Sequence, residues 1–510
     1  MTLIPITLMH ATSMDTRQKN KYIASQGPNK ESIKDIWRMI WQKKVDKIVM
    51  LTNPVEDGKM KCLQYWADKG NSEYTGILVT TAKEDVFLDY TVRIFNINEV
   101  GKDEQFRVVK HFHYTTWPDM KPPEYPTPLL NFLRVVNSHK NTGGTVIHCS
   151  AGVGRTGTYI TLDAMLEQMK QEGQVDVLGF INQMRHRRIK SVQTAEQYKF
   201  IYDAILEAYL SGDTTYHVTE YRRQLAALKK MGMEQQFQML EKLSSKLPFK
   251  KSESGKQPEN VTKNRYPDFV PTDRSRPYLM TITSDEDTNY INGTYLPGYR
   301  KKNTYIATQM PTPDTIGDIW RLVYDHKATC IVMLNQYDEN DETMAQYWPD
   351  SGPMEFGPLV VELVETKEYT GVIGNSFTLR KKNSMQLDAP QTVCQLQYLD
   401  WPSDQDVPRS FEGFLNLVEL TEQWKKTDEG PIVVHCMDGL GRSAVFCALM
   451  TLLEKFKQEM VVDVFQGVLQ LRTVNANMMY SLEHYAMCYN VIREHMNDSS
   501  DSTIYENLNG

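Results

Sequence analysis

The chain has 510 residues, of which 41% are hydrophobic and 24% are charged, and its formal net charge is −7 at pH 7. This length exceeds what one hydrophobic core supports, and the composition excludes a disordered or low-complexity protein. The net negative charge argues against a general nucleic-acid binder, which normally carries a basic excess.

Short apolar runs and helical patterns alternate along the chain. The β-branched runs predict buried strands, and stretches with helical spacing lie between them. This mixture indicates an α/β or α+β fold in which a sheet is covered by helices. The predicted strands include 47–51, 145–148, 330–334 and 431–435, and the predicted helices include 31–42 and 158–171.

The sequence repeats itself once. YIASQG at 22–27 returns as YIATQM at 305–310, which is an offset of 283 residues, and VIHCSAGVGRTGTY at 146–159 returns as VVHCMDGLGRSAVF at 433–446, which is an offset of 287 residues. Such offsets are far longer than the period of a solenoid repeat. The chain is therefore expected to be a tandem duplication of one domain.

The two copies set the expected domain limits. The first copy should occupy 1–212 and the second 213–495, and the polar residues 496–510 should form a disordered tail. Residues 218–246 have the spacing of helices that lead into the second copy, whereas the polar stretch 250–260 has the composition of an exposed loop.

The seven cysteines are scattered and include no Cys-x-x-Cys pair. This usage is typical of a reducing compartment and not of a disulfide framework or a structural zinc site. No apolar run approaches the roughly 18–20 residues of a transmembrane helix. The sequence therefore predicts a cytoplasmic chain without a membrane segment or a nucleic-acid partner.

One cysteine stands at the start of a glycine-rich loop. Cys149 follows a predicted strand, and the glycines after it allow turns in which successive N–H groups point into one concavity. The next helix adds its positive N-terminal end, and Arg155 can grip two oxygens of a tetrahedral oxyanion. We expect these groups to favour a thiolate that attacks phosphorus. The expected oxyanion cradle consists of Ser150, Ala151, Gly152, Val153, Gly154 and Arg155.

A bare Cys-x5-Arg spacing is weak evidence, because a buried structural cysteine can produce it. The histidine before the cysteine, the glycines, Thr156 and the return of the motif in the second copy favour a catalytic loop.

Cleavage of a phosphoester also needs an acid for the leaving oxygen. Asp119 follows Trp117 and Pro118, which form a stiff, bulky hinge about thirty residues before Cys149. A plain surface turn is the alternative, since aspartate is common in turns. Beside the cysteine loop, we expect a lid that brings Asp119 over the cradle.

The motifs HCSAGVGRTG, WPD and QTAEQY together resemble the cysteine-dependent protein tyrosine phosphatases, and in particular the tandem intracellular domains of receptor-type members. The resemblance implies a highly twisted mixed sheet flanked by helices in each domain. It also implies hydrolysis of phosphotyrosine proteins through a phosphocysteine intermediate, without a metal or other cofactor. The parent protein would be a single-pass membrane receptor.

The resemblance assigns roles to individual residues. Cys149 would be the nucleophile, Arg155 would bind phosphate, and Asp119 would be the general acid and then the general base. Thr156 would offer its hydroxyl to the sulfur. The remaining roles fall to Gln193, which would position the hydrolytic water, Gln197, which would assist it, Glu56, which would pair with the catalytic arginine, and Lys61, which would approach the acid loop.

The first copy departs from the family at its start. The family places a Lys-Asn-Arg-Tyr loop ahead of the first strands, where its tyrosine stacks on the substrate ring. The second copy retains KNRY at 263–266, whereas the first copy has no counterpart. We therefore expect a first domain truncated at its N-terminus, and the alternative function is an inactive phosphotyrosine-binding scaffold. Other chemistry on the same loop, such as arsenate reduction or sulfur transfer, is a third hypothesis.

The second copy keeps Cys436 and Arg442 but has Ser403 at the acid position and Tyr480 at the position of Gln193. Serine cannot supply an acid proton to a phenolate. We expect a degenerate, regulatory domain that retains oxyanion binding and can mediate self-association.

The tail contains Tyr505 within a Tyr-x-Asn sequence. This sequence resembles a docking motif for SH2 adaptors once the tyrosine is phosphorylated.

Overall fold

The computed structural model describes residues 7–9, 21–102, 106–119, 121–139, 143–248, 250–282, 288–382, 389–425 and 430–498. The chain divides into two compact units, Met1–Asp213 (unit 1) and Thr214–Gly510 (unit 2). The finer limits expected from the sequence, 1–212, 213–495 and 496–510, stay a prediction. Tyr505 lies outside the described residues.

Unit 1 contains ten strands and five helices among its described residues. Its strands are β1 (Thr7–Met9), β2 (Tyr22–Ser25), β3 (Lys47–Met50), β4 (Val55–Glu56), β5 (Lys59–Met60), β6 (Asn71–Tyr74), β7 (Ile77–Val86), β8 (Tyr90–Glu99), β9 (Arg107–Tyr114) and β10 (Thr145–His148). Its helices are α1 (Ile33–Gln42), α2 (Pro126–Ser138), α3 (Gly154–Glu172), α4 (Val177–Arg187) and α5 (Ala195–Ser211).

Unit 2 contains ten strands and seven helices among its described residues. Its strands are β11 (Tyr216–His217), β12 (Gly293–Leu296), β13 (Tyr305–Gln309), β14 (Cys330–Met333), β15 (Pro353–Phe356), β16 (Leu359–Tyr369), β17 (Val372–Lys381), β18 (Gln391–Tyr398), β19 (Ile432–Cys436) and β20 (Val461–Val462). Its helices are α6 (Val218–Ser244), α7 (Pro258–Val261), α8 (Ile316–Asp325), α9 (Phe411–Lys425), α10 (Arg442–Glu459), α11 (Val464–Val474) and α12 (Leu482–Asp498), with 3₁₀ turns at Ser254–Lys256 and Pro313–Thr315.

Each unit is built on an eight-stranded sheet, which confirms the mixed sheet that the family resemblance implied. The strand order is β1-β2-β10-β3-β9-β8-β7-β6 in unit 1 and β12-β13-β19-β14-β18-β17-β16-β15 in unit 2. The central strands β2, β10, β3 and β9 run parallel, and the others pair antiparallel. The same strand order in both sheets is the structural counterpart of the sequence repeat.

The strand that leads to the site lies in the buried part of the sheet. All four residues of β10 are buried, and β10 pairs with β2 on one side and β3 on the other. A strand flanked on both sides favours β-branched residues, and three of the four residues of TVIH are β-branched. Because carboxyl ends of parallel strands share one edge, β10 delivers the cysteine that follows it to that edge.

His148 anchors the end of β10. Its Nε2 lies 2.8 Å from the hydroxyl of Tyr65, and that hydroxyl is also 2.9 Å from Nε2 of His111. Burial lowers the pKa of His148 to about 4, so the ring is neutral at neutral pH. The histidine before the cysteine therefore serves the packing under the loop.

Of two local predictions, one was confirmed and the other was wrong in part. Residues 218–244 are helical, as their spacing predicted, and form the single helix α6. The stretch 250–260, expected as an exposed loop, contains the 3₁₀ turn and part of α7. The physical reason is that its polar side chains bond inward, since the Asn260 amide donates to the Ser254 carbonyl at 2.8 Å and Asn260 is buried.

A buried carboxylate ties α3 to the sheet and to α2. Asp163 on α3 accepts hydrogen bonds from the Tyr22 hydroxyl of β2 at 2.6 Å and from the Asn137 amide of α2 at 2.7 Å. Lys21 lies 3.3 Å from the same carboxylate. Because α3 begins inside the cysteine loop, this network also fixes the position of that loop.

No helix in the described ranges is long and apolar enough to cross a bilayer.

We expect Asp163→Ala to destabilise unit 1 by about 3 kcal/mol, because it leaves the buried Tyr22 hydroxyl and the side-chain amide of Asn137 without the acceptor they share. Asp203→Ala is the control, because within the part of the chain that the structure describes Asp203 forms one exposed i,i+4 pair, with Lys199, and it should change stability by less than about 0.5 kcal/mol. Hydrogen exchange of peptides from β2 and α3, measured in urea, gives the stability of unit 1 separately from that of unit 2. Equal stability of the two variants would contradict this account.

Candidate active site

The loop 149–155 of unit 1, here called the first cradle loop, connects β10 to α3. Cys149 lies at its base and is only 4% exposed, and its Sγ accepts a hydrogen bond from the Gly152 amide at 3.2 Å. The Ser150 hydroxyl donates to the Lys61 carbonyl at 2.8 Å. These contacts fold the loop back over the sulfur.

Two glycines are required by close approaches. Gly152 has φ +69°, and a Cβ there would lie 2.0 Å from the Ser25 carbonyl oxygen. A Cβ at Gly154 would lie 3.2 Å from Oε1 of Gln193 and 3.0 Å from Nε2 of Gln197. The first glycine therefore allows the turn, and the second allows both predicted glutamines to reach the loop.

Arg155 is held by a buried carboxylate. Its Nη1 and Nη2 donate to Oε1 and Oε2 of Glu56 at 2.7 and 2.8 Å, and Nη1 also donates to the Leu51 carbonyl at 3.1 Å. Burial alone would raise the pKa of Glu56, but the bonds from Arg155 and from the Asn53 amide outweigh burial and lower it. The ionised pair fixes the plane of the guanidinium, as a bidentate arginine–carboxylate contact does.

The acid loop 115–119 lies over this arginine. Asp119 Oδ1 is 3.3 Å from Nη2 of Arg155, and its Oδ2 accepts a hydrogen bond from Lys61 Nζ at 2.7 Å. Arg155 also donates to the Pro118 carbonyl at 3.1 Å, and the Trp117 indole donates to the Lys121 carbonyl at 2.9 Å. The aspartate predicted as the acid thus shares a site with the predicted arginine and lysine.

The two glutamines follow a strained turn. The main-chain N–H of Gln193 donates to Oε1 of Gln197 at 2.8 Å, and the residue before Gln193, Val192, has φ +56°. A β-branched residue in this region is strained, and such strain gathers at functional sites. Met479 of unit 2 has φ +54° at the same place, one residue before Tyr480. Both units thus impose the same backbone on the residue that follows.

Sequence reasoning missed Arg188. Its guanidinium is buried and donates to the carbonyls of Gly152 and Ala151, at 2.5 and 3.1 Å. Burial lowers the pKa of Arg188, and the nearby Cys149 raises it in part, so a second cation interacts electrostatically with the sulfur. The basic run 185–190 was the only signal for it. That signal indicates a charged surface as readily as a residue that holds a loop.

The role expected for Thr156 is not seen. Its Oγ1 is buried and has no hydrogen-bond partner among the described residues, so it does not bond the Cys149 sulfur. In unit 2 the corresponding Ser443 hydroxyl does donate to the Cys436 sulfur, at 3.1 Å. The threonine contact expected from the resemblance is therefore made by serine in the other unit.

Unit 2 arranges the same loop, 436–442 (the second cradle loop), differently. Arg442 donates to four main-chain carbonyls, those of Leu334, Trp401, Pro402 and Gln405, at 2.6 to 3.2 Å. Ser403 is exposed, and the Tyr480 hydroxyl donates to Asp438 at 2.6 Å. Cys436 and Arg442 are thus present and make contacts within unit 2, and the oxyanion binding expected of this unit stays a prediction.

The first cradle loop can therefore hold a tetrahedral oxyanion. Its main-chain N–H groups, the N-terminus of α3 and a preoriented guanidinium favour negative charge, and the Asp119 carboxylate lies 3.3 Å from that guanidinium. This combination suits transfer of a phosphoryl group to sulfur with protonation of the leaving oxygen.

The chain was compared with known proteins. A family model described as protein-tyrosine phosphatase matches residues 7–207 and 260–494. Mouse receptor-type tyrosine-protein phosphatase alpha is 38% identical over 501 residues, which cover 95% of this chain and 60% of that protein. Mouse receptor-type tyrosine-protein phosphatase epsilon is 37% identical over 500 residues, which cover 95% and 71%. The chain spans about three fifths of the length of the alpha relatives it matches.

We expect Glu56→Gln to weaken binding of tungstate, a tetrahedral oxyanion, to unit 1 about tenfold. The amide cannot accept both guanidinium bonds, so Arg155 loses its fixed orientation, and loss of one charge-assisted bond corresponds to about that factor. Calorimetric titration of the full chain measures the affinity.

Asp57→Asn is the matched control for this substitution. Asp57 is the exposed neighbour of Glu56, and asparagine tolerates its φ of +47°. The control should bind tungstate as the wild type does. Unchanged affinity in Glu56→Gln would show that the ion pair does not orient the arginine.

Proposed function

The chain belongs to the protein-tyrosine phosphatase family, and we propose that unit 1 hydrolyses phosphotyrosine in proteins through a phosphocysteine intermediate. The observation that carries this proposal is the acid loop lying over the arginine, with Asp119 3.3 Å from Arg155 and 2.7 Å from Lys61. A closed acid loop above a cysteine cradle is what two-step phosphoryl transfer requires. The proposed substrates are phosphotyrosine proteins as a class.

The first step is transfer of the phosphoryl group to sulfur. The Cys149 thiolate attacks phosphorus, a sulfur–phosphorus bond forms, and the bond from phosphorus to the tyrosine oxygen breaks. Asp119 gives its proton to that oxygen, so the leaving group departs as neutral tyrosine. Arg155 and the amides of the first cradle loop stabilise the charge on the equatorial oxygens.

The second step is hydrolysis of the intermediate. A water attacks phosphorus and gives its proton to the Asp119 carboxylate, the sulfur–phosphorus bond breaks, and phosphate and thiolate are released. We assign orientation of this water to Gln193, supported by its position against Gly154 of the loop, with Gln197 holding the Gln193 amide at 2.8 Å. Each proton that Asp119 gives in the first step is thereby recovered in the second.

The scaffold alternative rests on the absence from unit 1 of a counterpart to the KNRY loop at 263–266. In unit 1 the cysteine, arginine, acid and glutamines meet at one loop, and no observation on the described residues favours loss of catalysis there. We therefore propose catalysis in unit 1 and regulation by unit 2, whose acid position is Ser403.

The names of the relatives bear on the parent protein. They are receptor-type phosphatases, so we propose that this chain is the phosphatase part of a receptor-type protein on the cytoplasmic side of a membrane. An SH2 adaptor at Tyr505 and self-association through unit 2 remain proposals from the sequence.

Two substitutions in the full chain test the proposed mechanism. Cys149→Ser should abolish turnover of a phosphotyrosine peptide, because the hydroxyl is a far weaker nucleophile. Asp119→Ala should lower kcat about 10²–10⁴-fold, because the phenolate leaves unprotonated, while the peptide still binds. Steady-state kinetics and a pull-down with the phosphopeptide measure both properties.

The matched controls lie in unit 2. Cys436→Ser and Ser403→Ala occupy the corresponding positions and should leave kcat and KM unchanged. Binding of the peptide by the wild type without turnover would instead support a scaffold. Loss of turnover in Cys436→Ser would show that unit 2 carries out the reaction.

A further inference from the structure

The second cradle loop differs from the first at one position that carries a charge. The fold places Asp438 where unit 1 has Ala151, two residues after the cysteine in each loop. A carboxylate inside a loop that gathers main-chain N–H groups can accept the bonds that the loop offers to a ligand.

Asp438 makes those contacts. Its Oδ1 accepts hydrogen bonds from the amides of Leu440 and Gly441, at 2.8 and 3.0 Å, and the Cys436 thiol lies 3.1 Å from the same oxygen. Its Oδ2 accepts from the Tyr480 hydroxyl at 2.6 Å. Both oxygens of the carboxylate are thus bound by groups that line the cradle.

The corresponding main-chain amides of unit 1 belong to Val153 and Gly154. No side chain among the described residues accepts a hydrogen bond from them. Because Ala151 ends at a methyl group, unit 1 leaves that space to a ligand. The two loops have the same length and the same glycine turns, at Gly152 with φ +69° and Gly439 with φ +73°.

We propose that Asp438 is a built-in occupant of the second cradle loop, and that its carboxylate excludes phosphate and other tetrahedral oxyanions from unit 2. A carboxylate oxygen takes the position of a ligand oxygen, so the amides are satisfied before any ligand arrives. A dianion entering the same loop would also meet a like charge within contact distance.

The neighbouring groups fit this arrangement. Burial and the adjacent Asp438 raise the pKa of Cys436 to about 12, so the sulfur is a neutral thiol that donates to the carboxylate. Burial alone would raise the pKa of Asp438, but the bonds from Tyr480 and the two amides lower it, so the carboxylate is ionised. The Tyr480 ring also stacks on Phe269, with the two ring centroids 6.4 Å apart.

Arg442 is also held differently from Arg155, its counterpart in unit 1. In unit 1 the arginine is held by the Glu56 carboxylate, whereas Asp338, the counterpart of Glu56, accepts from Asn340 instead. Arg442 also stacks on the Trp401 ring, with its Cζ 4.8 Å from the ring centroid. The substitution Asp438→Ala would therefore free the amides of Leu440 and Gly441 for a ligand.

The test is the number of tungstate ions that the full chain binds, measured by equilibrium dialysis. The wild type and the control Asp350→Ala, which removes an exposed carboxylate bonded to Gln346, should each bind one ion, in unit 1. Asp438→Ala should bind two, because the alanine found at this position in unit 1 leaves the amides open. A second ion on the wild type, or only one on a folded Asp438→Ala chain, would overturn the proposal.

Labelling of Cys436 with iodoacetamide, read by mass spectrometry, locates the second ion. In Asp438→Ala the labelling rate should rise at least tenfold and tungstate should suppress it, whereas the wild type should react slowly with or without tungstate. Asp438→Ser provides a second small, neutral side chain if the alanine variant does not fold. Tungstate-protected labelling of wild-type Cys436 would contradict an occupied loop.

Discussion

The bidentate contact between Arg155 and Glu56 is the constraint on which the site of unit 1 depends. A guanidinium buried without a carboxylate would be costly, and one paired loosely would not present a fixed plane to an oxyanion. The two Nη atoms of Arg155 lie 2.7 and 2.8 Å from the Glu56 carboxylate oxygens. The same guanidinium contacts the acid loop at the Pro118 carbonyl and at Asp119. The cradle, the lid and the acid are therefore arranged around one ion pair.

The two units separate architecture from chemistry. Their sheets have the same strand order, and both hold a non-glycine residue at positive φ, Val192 or Met479, just before the position that carries the glutamine or tyrosine. Among the many side chains that differ, two change the site directly. Ser403 replaces the acid, and Asp438 fills the loop that Ala151 leaves open. A duplicated fold can thus keep its architecture while a side chain of the protein itself occupies the second site.

Much of the site in unit 1 could be predicted from the sequence because its residues lie in short contiguous motifs. Cys149 and Arg155 lie in one loop whose glycines indicate tight turns, and Asp119 follows a Trp-Pro pair. The contact of Glu56 with Arg155 joins residues 99 positions apart, so it came only from a family resemblance. Arg188 could not be predicted, since a basic run does not reveal which guanidinium turns inward.

The most direct test of the account is the site of phosphorylation during turnover. The full chain would be mixed with a ³²P-labelled phosphotyrosine peptide, quenched within milliseconds and digested, and the labelled peptide identified. The account predicts a phosphocysteine at Cys149 and none at Cys436, formed and lost at rates compatible with kcat. Turnover without label on Cys149, or label on Cys436, would contradict it.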